Sequence, residues 1–339
     1  MWIYARAPLR VSFAGGGTDL KSFYSKFDGN VANVAINKYA LAKVRKLNER
    51  VVFKSKDLKR INSYSLDNYK STLKSTLPLH QSTYNYFIQK YNASNFFGIE
   101  VITECQAPIG SGLGSSSTLV VAIAKAISRL MNILLTEKDL ATTAYYIERV
   151  SCNFLGGKQD HFAASYGGFN FFTFRKNETT EISKIILSSN FTLRMEGNLF
   201  LVFTGISRVS SEILSKENSL HQDKKNKLLH DVKKNAIDFK KAIEKENIQL
   251  AIDCINKGWE LKKKISSNST NYHIENIIKI AKKNGANACR ILGAGGGGYL
   301  LFHVNQDQQK RFFISMQKNG LIIESIFFEK NGAISWINF

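Results

Sequence analysis

The chain's 339 residues, 44% of them hydrophobic and 12% aromatic, are enough for about two globular domains with ordinary cores. No apolar run approaches the roughly 20 residues that span a bilayer, and the opening Met1–Phe13 segment lacks the basic start and apolar core of a secretory signal; Cys105, Cys152, Cys254 and Cys289 stand too far apart for a zinc site or a disulfide framework, so a reducing, cytoplasmic compartment is expected. The net charge of +20 favours a polyanionic partner, whether nucleic acid, a membrane surface or a phosphorylated small molecule.

In chain order, Ile3–Ala14 (IYARAPLRVSFA) reads as a strand that ends in Gly15, Gly16 and Gly17, followed by Thr18 and Asp19. A carboxylate beside a glycine turn suits hydrogen bonding to sugar hydroxyls. Thr18 or Asp19 equally suits the cap of a helix over residues 19–27. Residues 31–46 alternate as strands of a half-buried sheet, and residues 96–105 form another strand. Two helices are expected over residues 116–134 and 137–152, the second with Thr136 as its N-cap. GGFNFFTF (167–174) and LFLVFTG (199–205) are further strands.

After about residue 205 helical patterns dominate up to Asn284. The lysine-rich stretch Asp223–Lys264 carries Leu, Val, Ile and Phe at helical spacing with lysines on the other face. It reads as a solvated helix surface, because no aromatic residues are interleaved as a base-stacking platform requires. Residues 285–304 give a strand, a glycine loop and a strand. Residues 306–320 give a helix and 321–329 a closing strand. The layers suggest an α+β protein divided into residues 1–185 and 186–339.

The stretch APIGSGLGSSSTLVVA (107–122) carries the most chemistry. Gly110, Gly112 and Gly114 alternate through a turn, which permits positive φ and close backbone approach to a ligand. Ser115, Ser116 and Ser117 then open a helix whose first N–H groups lack intrahelical partners. Amides and helix terminus together make an anion nest, and a serine hydroxyl there suits Mg²⁺. A Walker A string is absent, and a serine-capped glycine turn accounts for the same residues without a ligand. The string ILGAGGGGYLLF (291–302) has more glycine than a hairpin needs. Close approach to a ligand, or to the first loop, explains it better.

These three strings, in this order along nearly the whole chain, resemble the signature motifs of the GHMP kinase superfamily. PIGSGLGSSS resembles the family's Pro-x-x-x-Gly-Leu-Gly-Ser-Ser loop, and GAGGGG its C-terminal motif. The resemblance implies a two-domain α+β fold. An N-terminal half like ribosomal protein S5 domain 2 and a ferredoxin-like C-terminal half would enclose the active site between them. It implies ATP bound at Pro108, Gly110, Ser111, Gly112, Leu113, Gly114, Ser115, Ser116 and Ser117, with Mg²⁺ on Ser116 and Glu148. It implies Asp160 as catalytic base. Arg10 stands where many members carry a lysine, and reads as a permanently charged clamp on anionic oxygens, with Lys158 as a second cation.

The variant Gly-Gly-Gly-Thr-Asp string, with GGKQDHFAASYGGFNFF, FTGISRVSSEI and RILGAGGGGYLLF, is similar to the heptose 7-phosphate 1-kinase branch of that superfamily. The similarity implies phosphorylation of an anomeric hydroxyl on the way to GDP-heptose and surface glycans. It places Gly16, Gly17, Thr18, Asp19, His161, Arg208, Gly293, Gly295 and Gly296 around the acceptor. Lys26, Lys38, Thr204 and Ser207 are further candidates for its distal phosphate. The expected partners are ATP and a sugar phosphate, not nucleic acid or membrane, in a monomer or a homodimer. The alternatives are a fucose- or galactose-type kinase and a non-catalytic sugar-sensing member.

Overall fold

The computed structural model describes residues 1–72, 74–207 and 222–338. Strand β1 (Trp2–Ala14) runs beside β2 (Gly29–Lys46), an 18-residue strand that forms the spine of the first sheet. One half of β2, Ala40–Lys46, pairs with β5 (Ile99–Cys105); the other half, Gly29–Val34, pairs with β6 (Phe169–Phe174). Strands β3 (Arg50–Ser55) and β4 (Arg60–Ser65) extend the sheet past β5, and β7 (Thr180–Lys184) extends it past β6.

Helix α3 (Ser115–Leu130) lies under this sheet beside α2 (Pro78–Tyr91). Its Val120, Val121, Ile123 and Ile127 bury against Ala5, Ala7, Ala40 and Ala42, small residues that let the helix approach the strands closely. Helix α1 (Lys21–Phe27) has Leu20 at its N-cap, so neither Thr18 nor Asp19 caps it. Helix α4 (Glu137–Tyr145) starts from the expected Thr136 cap, which accepts from the Asp139 amide. It does not run on as α-helix to Cys152, because residues 146–151 form a π-type segment. Helix α5 (Gln159–Tyr166) follows.

In the second half, α6 (Ser189–Asn198) precedes a four-stranded sheet of order β11-β8-β10-β9, built from β8 (Leu199–Phe203), β9 (Ala286–Ile291), β10 (Tyr299–Val304) and β11 (Ile323–Ser325). Helices α9 (Tyr272–Lys283) and α10 (Gln309–Lys318) share a core with this sheet. Helices α7 (Gln222–Glu244) and α8 (Ile248–Ile265) bury Ala236, Phe239, Ile252 and Ile255 against Leu9, Val11 and Phe13 of β1 and Leu301 of β10. The lysine-rich helices are thus amphipathic as their spacing indicated, and one apolar core joins the two halves.

The end of the chain departs from expectation. The closing strand shrinks to Ile323–Ser325, after which Ile326 buries completely and Phe328 bridges to Ile36. The chain then adds a final strand, β12 (Ile334–Asn338), to the free edge of β1 in the first sheet.

Candidate active site

The glycine-rich loop enters α3 as its sequence required. Gly110, Gly112 and Gly114 have φ of 74°, 80° and 78°. Gly114 is the N-cap of α3 and has no side chain to offer, so the helix terminus carries no side-chain cap. The amides of Ser115, Ser116 and Ser117 therefore face outward as donors on a positive helix end. Ser111 and Ser115 join hydroxyls at 3.0 Å and stiffen the turn. Leu113 is fully buried in the core shared by the two halves, so its side chain anchors the loop, and its carbonyl accepts from the Arg10 amide at 3.3 Å. Pro108 sits exposed at the loop's outer edge.

Arg10 projects from β1 on the face opposite Leu9 and Val11. It is almost wholly buried, yet it makes three polar contacts across the site. Its Nε and a terminal nitrogen donate to Asp160 Oδ1 at 2.8 and 2.6 Å, and the other terminal nitrogen donates to the Gly112 carbonyl at 2.6 Å. Such a forked guanidinium contact fixes the carboxylate more firmly than a point charge would. Asp160 Oδ2 lies against Gly114, since a Cβ built there would stand 3.2 Å from it. The free oxygen of Asp160 thus faces the glycine loop.

Asp19 accepts from the Gly17 amide at 3.0 Å and the Gln159 amide at 3.2 Å. Burial, with the charge of Asp160 second, raises its pKa above the ordinary carboxylate value. Asp19 thereby ties the Gly15–Gly17 turn to the start of α5, where Asp160 sits. Gly16 lies beside Gln159 and Ser12 at the same place.

Glu148, in the π-type segment, is 1% exposed, accepts from three side chains and pairs with the Arg149 guanidinium. Ser116 contacts Oε1; Ser117 at 2.6 Å, His161 Nε2 at 2.7 Å and Arg149 at 3.3 Å contact Oε2. Burial alone would raise its pKa, but the His161 hydrogen bond and the Arg149 charge outweigh it and hold the group near 2. A carboxylate held ionised at neutral pH beside a serine hydroxyl at the mouth of a glycine-rich loop suits a hard cation. Mg²⁺ typically takes one or two carboxylates and completes its shell with substrate phosphates and water. Among the described residues no cluster of three or more His, Cys, Asp and Glu side chains competes for that role.

The second glycine cluster approaches the first loop. A Cβ on Gly293 would stand 2.5 Å from the Gly112 Cα, and Tyr299 donates its amide to the Ser111 carbonyl at 2.9 Å. Gly295 and Gly296, expected at the acceptor, are buried instead against Ser269, whose carbonyl accepts from the Gly296 amide at 2.8 Å. Two further expectations are corrected. The Thr18 hydroxyl is fully buried and spent on the Gly15 and Asn30 backbone, and His161 is turned into the interior onto Glu148. Lys158 directs its ammonium to Glu178 at 2.9 Å and over the Tyr24 ring, away from the loop. Lys38 pairs with Glu324, Thr204 bonds the Gly298 carbonyl at 2.9 Å, and Lys26 and Ser207 are exposed. Arg208 lies outside the described residues.

Two cations went unread in the sequence. Lys262 of α8 donates to the Gly293 carbonyl, and Arg290 of β9 donates to the Phe13 carbonyl at the end of β1. Burial, with the charge of Arg10 second, lowers the Arg290 pKa to about 10. A basic residue just before a glycine cluster was the available signal.

The model described as "GHMP kinases N terminal domain" matches residues 78–168, and "GHMP kinases C terminal" matches residues 239–320. The chain is 32% identical over 338 residues to the D-glycero-alpha-D-manno-heptose 7-phosphate kinase of Campylobacter jejuni, covering 98% of each. It is 27% identical to the L-fucokinase/L-fucose-1-P guanylyltransferase of Bacteroides fragilis over 91% of this chain and 35% of that protein. The crystal structure of a D-glycero-D-manno-heptose 1-phosphate kinase from Bacteroides thetaiotaomicron superposes with a TM-score of 0.83 at 27% identity, covering 99% of both chains.

Proposed function

Because this chain belongs to the GHMP kinases and is a sugar kinase, a phosphotransferase with an alcohol acceptor, we propose that it transfers the γ-phosphate of ATP to the anomeric hydroxyl of D-glycero-D-manno-heptose 7-phosphate. The product is the 1,7-bisphosphate, a precursor for GDP-heptose and surface glycans. The observation that carries the acceptor is the likeness to a heptose 7-phosphate kinase over 98% of both chains.

The chain's groups divide the work by position. The amides at the start of α3, with the loop from Gly110 to Gly114, cradle the triphosphate. Ser116 and Glu148 are the groups that would hold Mg²⁺, which when bound neutralises charge on the β- and γ-phosphates. Arg10 spans the Gly112 carbonyl and Asp160, so its charge lies between the loop and the acceptor side, where the transferring phosphoryl oxygens gather negative charge. Arg10 occupies Oδ1 of Asp160 and leaves Oδ2 to take the proton of the attacking hydroxyl. Gly16, Gly17, Asp19 and Gly293 border the acceptor side.

Phosphorus NMR of the enzyme with ATP, Mg²⁺ and heptose 7-phosphate tests the reading. It expects a new anomeric phosphate resonance with the original phosphate retained. Heptose 1-phosphate is compared in parallel, since the Bacteroides structure carries that name. Preferential turnover of L-fucose favours the second reading, which rests on the likeness to the Bacteroides fragilis fucokinase over 91% of this chain.

A further inference from the structure

Glu148 is held asymmetrically. Among the described residues two hydrogen-bond donors, Ser117 and His161, and the charge of Arg149 converge on Oε2, while Oε1 meets Ser116 alone. His161 is fully buried and its Nδ1 has no hydrogen-bond partner among the described residues. Since a carboxylate only accepts, the ring carries its proton on Nε2, and among the described residues its hydrogen bond goes to Glu148. The Tyr145 ring meets it edge-on at 5.6 Å and 87°, which fixes the imidazole plane. Arg149 is braced as well: it donates to the Ser117 hydroxyl at 3.1 Å and to the Leu155 carbonyl at 3.0 Å.

Two local features bring these groups together. The π-type segment presents consecutive residues, Glu148 and Arg149, to the same serine at the start of α3. The first turn of α5 presents Asp160 to the glycine loop and, one residue on, His161 to Glu148.

We propose that His161 and Arg149 are positioning residues: they clamp Oε2 of Glu148 so that Oε1, beside Ser116, is the oxygen offered to the cation that accompanies the nucleotide. The proposal rests on the reading of Ser116 and Glu148 as the cation-holding pair. A carboxylate released from its outer partners samples other rotamers and presents either oxygen. Loss of such partners ordinarily weakens metal binding by about 10–100-fold.

The test measures Mn²⁺ binding to the complex with the non-hydrolysable analogue AMPPNP and heptose 7-phosphate, from the free-ion electron paramagnetic resonance signal. Glu148→Gln is expected to abolish the tight Mn²⁺. His161→Leu and Arg149→Met are expected to weaken it by about 10–100-fold. In those two variants kcat recovers at high Mg²⁺ and the acceptor KM stays near wild type. His161→Gln, whose amide can still donate to Oε2, is expected to restore most of the affinity. Wild-type Mn²⁺ binding in both His161→Leu and Arg149→Met, with Glu148→Gln defective, overturns the positioning role and leaves the cation pair standing. Wild-type binding in Glu148→Gln overturns the cation pair and the proposal with it. Arg149→Met carries the test alone if the buried leucine variant fails to fold, as judged by its melting curve.

Discussion

Gly293 backs directly onto Gly112: a Cβ on Gly293 would stand 2.5 Å from the Gly112 Cα, and one on Gly112 would stand 2.5 Å from the Leu292 carbonyl oxygen. The Gly112 carbonyl in turn accepts from Arg10, which holds Asp160. The backbone contact between the two halves is therefore linked through Arg10 to Asp160, the carboxylate proposed as the base.

Gly293→Ala tests that coupling. Both glycines have positive φ, 64° and 80°, so a side chain is strained there and also collides. Pushing the two loops about 1 Å apart misplaces Arg10 and Asp160 together, and a loss of about 100-fold in kcat/KM is expected. Circular dichroism checks that the fold survives. Wild-type kinetics in a folded variant contradict the coupling.

Arg10→Lys keeps the charge and loses the fork. One ammonium cannot reproduce two contacts to Oδ1 and one to the Gly112 carbonyl. The expected result is a fall in kcat of about 10²–10³-fold, comparable to removing one transition-state donor, with the nucleotide KM little changed. Steady-state kinetics against ATP separate the two parameters.

Thr18→Val separates a structural hydroxyl from a sugar contact. The hydroxyl donates to Gly15 and Asn30 carbonyls at 2.8 and 2.9 Å and accepts from the Asn30 amide at 3.0 Å. Leaving buried groups unpaired costs about 1–3 kcal/mol, to be read from urea unfolding. The acceptor KM is expected to stay within a few-fold of wild type. A large rise in KM without loss of stability contradicts the structural role.

Two buried histidines set an acid limit on stability. Burial lowers the pKa of His80 and of His303 from 6.5 to about 4 in each case. Between those values the unfolded chain binds more protons than the folded one, so stability falls as pH drops from about 6.5 toward 4 and levels off below. Urea midpoints from pH 8 to pH 5 are expected to decline in the wild type and to decline less in the double variant His80→Gln, His303→Gln. Parallel declines in the two proteins contradict the assignment.

The loops were legible in the sequence and their neighbours were not. Gly110, Gly112 and Gly114 announce positive φ because no other residue takes it freely, and Ser115–Ser117 announce a helix end by their place before an apolar run. The lysine face of α7 and α8 was readable from spacing alone. Inward orientation was not. His161 and Thr18 stand in strings that suggest a sugar pocket, yet both turn inward because Glu148 and the Asn30 backbone need partners there. The inward turn of Glu148 was equally hidden, since the π-type segment that buries it leaves no mark on an α-helical pattern. The return of β12 to β1 depends on pairing across more than 300 residues, beyond any local signal.

The central claim is that Asp160, fixed by Arg10 at Oδ1 and open at Oδ2, takes the proton as the phosphoryl group moves to the acceptor. The most direct measurement is ADP release with D-glycero-D-manno-heptose 7-phosphate, ATP and Mg²⁺ by the wild type and by Asp160→Asn, each with AMPPNP affinity determined. The account expects robust wild-type turnover, a loss of about 10²–10⁴-fold in kcat for the variant and unchanged nucleotide affinity. Wild-type turnover retained by Asp160→Asn contradicts it.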